Sequence, residues 1–166
     1  HGSLIGVIYA IWLYGRKVNL HLFTLADFLT AAIPLGYFFG RIGNFINGEL
    51  YGRTTESPIG MYFTNAGDYQ LRHPSQLYEA FFEGILLFLI LFYFNKKIIY
   101  KNDGLISALF LIFYYLFRFI LSFLRAPDKQ IGYLIFHLTQ GQIISFVLIF
   151  FVILLFYFHY VYKTTN

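Results

Sequence analysis

The chain has 166 residues, of which 58% are hydrophobic, 23% aromatic and only 12% charged. About a quarter of the residues in a soluble domain are charged, so this composition excludes an ordinary soluble domain and indicates an integral-membrane protein. No cysteine is present, which excludes disulfides and a thiol nucleophile supplied by the protein. The net charge of +4 comes from basic residues scattered between apolar runs, so nucleic acid is not an expected partner.

The first apolar segment is short, because the polar triplet at residues 15–17 follows only fourteen residues. Fourteen helical residues span about 21 Å, whereas the hydrocarbon layer is ~30 Å thick. We therefore expect this segment to be the end of a truncated transmembrane helix, with earlier spans missing. Residues 1–166 are expected to form one integral-membrane domain.

A long second helix is predicted from Thr24 to about Asn47. Thr24 and Asp27 resemble a capping box at its start, and Pro34 should bend it. Three glycines at four- and three-residue spacing should let another backbone approach one face closely. They are Gly36, Gly40 and Gly43.

Residues 48–73 are polar and are predicted to form an ordered loop outside the membrane, with residues 61–64 as its only strand-like run. Pro74 suits the first turn of a third helix, which should end at the polar residues after Phe94.

Residues 104–124 are predicted to form a fourth span. Thr139 and Gln142 form a second capping-box signature, which opens a fifth apolar helix ending near Lys163. The expected fold class is all-α, a transmembrane bundle of about five spans with a polar outer loop that carries short irregular or strand structure.

Basic residues are distributed unevenly between the two ends of these spans. One side carries Arg16, Lys17, Lys96, Lys97, Lys101 and Lys163, and the other carries Arg53, Arg72, Arg125 and Lys129. The positive-inside rule places the six-residue side in the cytoplasm, so the polar loop is expected to face outward.

The second helix ends in a polar face on which Arg41, Asn44 and Asn47 recur at three-residue spacing, with Glu49 just beyond. Charged residues at membrane depth normally face a protein interior or a watery cavity. A guanidinium suits a phosphate or carboxylate because it donates paired hydrogen bonds. Alternatively, Arg41 pairs with Glu49 or Glu79 as a structural contact, or extends to the lipid headgroups.

The fourth span carries a matching polar stripe at spacings of four, four and three residues. It consists of Tyr114, Arg118, Ser122 and Arg125. This stripe is too polar for lipid and should face the same cavity as Arg41. For Arg125, an interfacial anchor or a local ion pair with Asp128 is an equally good interpretation.

Glu79 and Glu83 share one face of the third helix, where they are expected to orient the guanidinium groups rather than act as an acid and base pair. His1 opens a small-residue segment, HGSLIG at residues 1–6. A neutral imidazole can accept a proton near neutral pH, although a lone histidine is more often only hydrogen-bonded.

Taken together, these motifs resemble those of the prolipoprotein diacylglyceryl transferase family. Four segments carry the resemblance, in the same order and spacing. They are HGSLIG at 1–6, GRIGNFINGELYGR at 40–53, RHPSQLYE at 72–79, and the stretch from Tyr114 through Arg118 to RAPD at 125–128. Members of this family are bacterial inner-membrane enzymes with seven spans, so the resemblance also implies missing N-terminal helices.

The resemblance implies an activity: transfer of a diacylglyceryl group from phosphatidylglycerol to the lipobox cysteine thiol of a prolipoprotein signal peptide, with release of glycerol phosphate. It implies no metal and no cofactor. The implied catalytic residues are His1, Arg41, Tyr114 and Arg118. The implied substrate-binding residues are Arg41, Asn44, Glu49, Gly52, Arg118 and Arg125.

Within these roles, Arg41 and Arg118 would hold the lipid phosphate and Tyr114 would hydrogen-bond near the reacting centre. His1 would assist deprotonation of the thiol, although nearby cations could activate a thiol without a dedicated base. Ser122 stands where the family commonly has a glutamate, so either Glu49, Glu79 or Glu83 supplies the compensating charge for Arg118, or the pocket is arranged differently. The loop between Gly52 and Arg72 is shorter than the corresponding loop of some family members, which bears on its contribution to binding the signal peptide.

Two other function classes fit the composition. A transporter or channel for an anionic substrate also uses arginines at membrane depth, but it usually has repeated halves, and no internal repeat is found. A structural membrane subunit is permitted by the glycine spacing but does not need two arginine stripes.

Overall fold

The computed structural model describes residues 2–98, 103–126 and 139–165, and His1 lies outside them. Within this part of the chain the regular elements are all helical, which confirms the all-α class. They are α1 (Gly2–Val18), α2 (Leu22–Thr30), α3 (Ile33–Ile46), a 3₁₀ turn (Thr64–Ala66), α4 (Ser75–Glu79), a π-helical segment (Ala80–Leu86), α5 (Leu87–Ile98), α6 (Leu105–Leu121) and α7 (Gln140–Thr165).

Helices α4 and α5 and the π-helical segment run on without a break, and residues Ser75–Lys96 of this unit are long and apolar enough to cross a membrane. Helices α2 and α3 qualify together as one bent span. The described residues therefore offer one or two candidate spans by length and composition.

The predicted second helix is broken into α2 and α3, which meet at an angle of 41°. Pro34 lies in the first turn of α3, where its missing N–H leaves no hydrogen bond unmade. The expected bend is thus confirmed, but the expected capping box is wrong. Helix α2 begins at Leu22, two residues before Thr24, and His21 precedes it without a side-chain cap.

Asp27 instead caps a different helix. Its Oδ2 accepts a hydrogen bond from the backbone N–H of Gly104 at 2.8 Å, and its Oδ1 accepts from the backbone N–H of Ser107 at 2.7 Å and from the Ser107 hydroxyl at 2.6 Å. These N–H groups belong to the start of α6, where backbone donors have no partner within the helix. The buried carboxylate therefore joins the bent helix pair to α6.

Replacing Asp27 with alanine is expected to lower the free energy of unfolding by about 1–3 kcal/mol, because the buried N–H of Gly104 and the partly buried N–H of Ser107 lose their acceptor. Unfolding of the detergent-solubilised protein by denaturant would measure the change. Asp103→Ala is the matched control, since it removes an exposed acid next to the same helix start. Equal stability of the two variants would contradict the capping role.

Helix α3 makes a close backbone contact, but the glycine that permits it lies in the π-helical segment. A Cβ added at Gly84 in the π-helical segment would lie 2.7 Å from the Cβ of Phe38. The glycine stripe of α3 was expected to provide this contact, and that prediction is wrong. Within the described residues, nothing lies within 4 Å of a Cβ added at Gly36, Gly40 or Gly43.

The apolar core lies between α5 and α6, where Leu87, Leu91 and Ile106 are fully buried. Helix α7 packs along α6. One of the two hydrogen bonds of the second predicted capping box is confirmed. The backbone N–H of Thr139 donates to Gln142 Oε1 at 2.8 Å. This core holds α6 against the α4–α5 unit and so positions the polar ends of both.

Candidate functional site

The polar loop between α3 and α4 is ordered by its backbone and not by strands. In the part of the chain that the structure describes, it makes three isolated bridges, which pair Gly52 with Arg125 and Arg72 with both Thr54 and Met61. The prediction of a strand at residues 61–64 is therefore wrong, since Met61 is the only residue of this run whose backbone pairs with another segment. Hydrogen bonding to Asp68 raises the pKa of Arg72, whose Nη2 lies 2.6 Å from Asp68 Oδ2.

Side chains in the first turn of α4 form hydrogen bonds to the backbone just after the end of α3. Leu50 has a positive φ of 57°, which a non-glycine residue adopts only when its surroundings hold it there. The Ser75 hydroxyl donates to the Leu50 carbonyl at 2.9 Å, and Gln76 Nε2 donates to the Glu49 carbonyl at 2.5 Å. Ser75 and Gln76 therefore fix the turn, and the Glu49 side chain points to an exposed position.

Gly52 lies where three backbone segments meet. Its N–H donates to the His73 carbonyl at 2.8 Å, and an added Cβ would lie 2.6 Å from the Leu124 carbonyl oxygen and 2.8 Å from the His73 Cβ. No real Cβ comes that close to backbone atoms, so the structure explains this glycine by packing. Its predicted part in substrate binding stays a prediction.

We expect Gly52→Ala to push the loop away from the end of α6 and to displace Arg125, whose backbone pairs with residue 52. Overpacking of this kind costs about 1–3 kcal/mol. Limited proteolysis of the loop would show the loosening as faster cleavage. The control is Gly43→Ala, because nothing lies within 4 Å of a Cβ added at Gly43. Gly67→Ala is less suitable, since the φ of 72° at Gly67 would strain an alanine there. Unchanged cleavage in Gly52→Ala would contradict the packing account.

The centre of the site is one buried carboxylate that contacts three arginines. Glu79 Oε1 accepts hydrogen bonds from Arg118 Nη1 at 3.0 Å and Arg125 Nη1 at 3.1 Å. Arg41 Nε lies 2.8 Å from Glu79 Oε2, in an ion pair that lacks hydrogen-bond alignment. The arginines of α3 and of the α6 end therefore converge on α4, and the interpretation of Arg41 as a partner of Glu79 is confirmed.

The cluster presents its cations outward and its anions inward. The side chains of Arg118 and Arg125 are 23% and 21% exposed and that of Arg41 is 10% exposed, whereas Glu79 is 1% exposed. Glu83, one turn deeper, is 0% exposed and its Oε1 lies 3.8 Å from Arg118 Nη1. A group of accessible guanidiniums backed by buried carboxylates is a surface suited to an anion.

Tyr37 links the arginine of α3 to α6 and was missed in the sequence. Its hydroxyl accepts a hydrogen bond from Arg41 Nη2 and another from the Tyr114 hydroxyl at 3.2 Å. The Arg41 guanidinium also lies over its ring, with Cζ 4.7 Å from the centroid. The four-residue spacing between Tyr37 and Arg41 was the available signal, since such pairs share one face of a helix.

Glu79 and Glu83 lie next to the arginines, as expected, but the backbone that carries Glu83 is not the expected α-helix. Glu83 lies in the π-helical segment, a conformation that is rare and frequent at functional sites. Ser122 takes no part in the cluster, since its hydroxyl donates to the Phe119 carbonyl at 2.5 Å. Glu79 and Glu83 supply the charge that orients Arg118.

The remaining predicted residues are less closely involved. Asn44 is half-buried and Asn47 is exposed, with the Asn47 carbonyl accepting a hydrogen bond from Asn65 at 2.7 Å. The Asp128 proposed as an alternative partner for Arg125 lies outside the described residues, as does His1. Arg41, Tyr114, Arg118 and Arg125 are thus the predicted site residues that the structure brings together.

Comparison with known proteins gives a consistent result. A family model described as prolipoprotein diacylglyceryl transferase matches residues 1–158. Proteins named phosphatidylglycerol–prolipoprotein diacylglyceryl transferase are similar, at 52% identity in Chlorobaculum tepidum (90% of this chain, 51% of the relative) and 53% in Rickettsia bellii (90% and 57%). One from Ehrlichia canis is 49% identical (95% and 60%). The chain therefore spans about half to three-fifths of the length of these relatives.

Proposed function

Because the chain belongs to the prolipoprotein diacylglyceryl transferase family, we propose that it forms the phosphate-binding part of an enzyme that acts on phosphatidylglycerol. The enzyme transfers the diacylglyceryl group to the lipobox cysteine thiol of a prolipoprotein, forms a thioether and releases glycerol phosphate. The single observation that supports this most is the convergence of Arg41, Arg118 and Arg125 on Glu79.

The chemistry needs a stabilised leaving group. When the thiol sulfur bonds to the glyceryl carbon, the carbon–oxygen bond to phosphate breaks and its electron pair stays on the phosphate oxygen. Fixed positive charge aimed at that oxygen lowers the barrier, because the negative charge there grows in the transition state. Arg118 and Arg125 are the more accessible guanidiniums and would meet the phosphate first.

The charges of the cluster match the proposed lipid. Three guanidiniums against the carboxylates of Glu79 and Glu83 leave one net positive charge, and a phosphodiester carries one negative charge. The bound site is then neutral overall, which matters in a low-dielectric membrane interior where an unbalanced charge is costly. A zwitterionic lipid headgroup would bring an ammonium group that this cationic surface repels.

We assign the supporting roles as follows. Tyr114 hydrogen-bonds near the reacting centre, and Asn44 and Glu49 orient the headgroup or the arginines. Gly52 keeps the loop close to the site, and His1 assists removal of the thiol proton.

We also propose the membrane arrangement. The chain contributes about five spans to a multi-pass protein of the bacterial inner membrane, with the site toward the periplasmic face. Phosphatidylglycerol and the signal peptide both reside in the bilayer, so they would reach the arginine cluster laterally. The comparisons give no support to the alternative of a transporter or channel.

The test is a product assay with the protein in its full natural length. It is incubated with phosphatidylglycerol and a lipobox peptide, and the peptide is analysed by mass spectrometry for a thioether-linked diacylglyceryl group. We expect this product with phosphatidylglycerol and not with phosphatidylcholine. Folded protein that forms no product from phosphatidylglycerol would overturn the proposal.

A further inference from the structure

One buried acid has so far been assigned only to the orientation of Arg118 and to the charge balance of the site. Glu83 is 0% exposed, and neither of its carboxylate oxygens has a hydrogen-bond partner among the described residues. Its closest cation is Arg118, at 3.8 Å from Oε1. A buried carboxylate without hydrogen bonds is costly, so its presence calls for a function.

The groups that face Glu83 come from each helix packed around it. They are Tyr37 and Arg41 on α3, Glu79 on α4, and Tyr114 and Arg118 on α6. The Tyr37 hydroxyl lies beside the carboxylate without an aligned hydrogen bond to it. Tyr37 also accepts a hydrogen bond from the Tyr114 hydroxyl at 3.2 Å, so the two tyrosine hydroxyls form a pair next to Glu83.

The proposed reaction changes the charge that the site must balance. Phosphatidylglycerol enters as a monoanion, and glycerol phosphate forms as a dianion because the electron pair of the broken carbon–oxygen bond stays on the phosphate. Three guanidiniums and two carboxylates balance the first charge but leave the second one uncompensated. The thiol releases one proton in the same step, and keeping that proton inside the site would restore neutrality.

We propose that Glu83 receives and holds the proton that the substrate thiol loses; this inference rests on the proposed function. The sulfur–carbon bond forms, the carbon–oxygen bond breaks toward phosphate, and the proton moves to a Glu83 oxygen. Glu79 is the poorer acceptor, because three guanidiniums at 2.8–3.1 Å already occupy its oxygens. Neither oxygen of Glu83 accepts a hydrogen bond within the described residues, and its contact with Arg118 is longer, at 3.8 Å.

Proton uptake on product binding tests this without turnover. At about pH 8, where a phosphate monoester is mostly a dianion, glycerol phosphate is titrated into the full-length protein by calorimetry in buffers of different ionisation enthalpy. We expect the wild type to take up close to one proton per glycerol phosphate bound, and Glu83→Gln to take up none. Wild-type binding without proton uptake overturns the proposal, and so does full uptake by Glu83→Gln.

Affinity and turnover give a second readout. Glu83→Gln adds one net positive charge to the site, so we expect glycerol phosphate to inhibit it at about tenfold lower concentration, while turnover falls about 100-fold. A merely structural role would weaken both binding and turnover. Glu56→Gln is the control, because it removes an exposed loop carboxylate. Turnover of Glu83→Gln within twofold of the wild type would refute the role.

Two further arms keep the outcome decisive. If Glu83→Gln does not fold, infrared difference spectra of the wild type with and without glycerol phosphate decide, since a new band of a protonated carboxylic acid is required. Uptake that persists in Glu83→Gln and disappears in His1→Gln would place the proton on the histidine and overturn the proposal. Wild-type protein that forms no thioether would instead count against the proposed function alone.

Discussion

Replacing Glu79 with glutamine is expected to impair the proposed diacylglyceryl transfer strongly and to destabilise the helix bundle. Glutamine keeps the size of the side chain but removes the charge that three guanidiniums share, so Arg41, Arg118 and Arg125 would repel one another in a buried position. Breaking a buried ion pair by removing one partner costs about 3–5 kcal/mol. We expect activity to fall at least about 100-fold, because misplacing several charge-stabilising groups has effects of that size.

Thermal unfolding in detergent and the thioether assay measure the two effects separately. Glu56→Gln makes the same chemical change at an exposed loop position and should leave both values at the wild-type level. A Glu79→Gln variant that keeps wild-type stability and turnover would show that the three arginines are held apart by other contacts.

Arg118→Lys is expected to lower kcat/KM for phosphatidylglycerol by about 10²–10³-fold. Lysine keeps the positive charge but has no planar fork, so it cannot bind Glu79 and a phosphate oxygen at the same time in fixed geometry. Arg118 contacts Glu79 at 3.0 Å and Glu83 at 3.8 Å through a single nitrogen, and its side chain is 23% exposed.

The control for this change is Arg16→Lys, which alters an exposed arginine at the end of α1. Steady-state kinetics over a range of phosphatidylglycerol concentrations would separate kcat from KM. An Arg118→Lys variant as active as the wild type would remove the phosphate-binding role from this residue.

The polar centre of the site was predictable because charged residues at membrane depth have few alternatives. Arg41 and Arg118 could not face lipid, and spacing placed each on a defined helix face. The acids of the third helix were the available counterions, so their orienting role followed. Pro34 likewise fixed a bend, since proline cannot donate the hydrogen bond that a continuous helix needs.

The features that sequence reasoning missed depend on contacts between distant segments. Asp27 matched a local capping motif, yet the donors that it binds belong to α6. The glycine stripe of α3 had the right spacing for close packing, but Gly84 on the opposite element provides it. Periodicity gave no sign of the π-helical segment or of the contact between Tyr37 and Tyr114, because both are set by how α3, α4 and α6 pack.

The shared carboxylate also has a consequence for biosynthesis. Translation produces Arg41 first, then Glu79, and only afterwards Arg118 and Arg125. In the proposed membrane arrangement, an arginine that enters the bilayer alone is costly, so α3 would gain a counterion only once α4 is inserted beside it. The same oxygen atoms then receive the arginines of the following helix. In that arrangement, the order of the polypeptide would make α4 the element onto which the earlier and later arginine-bearing helices dock in turn.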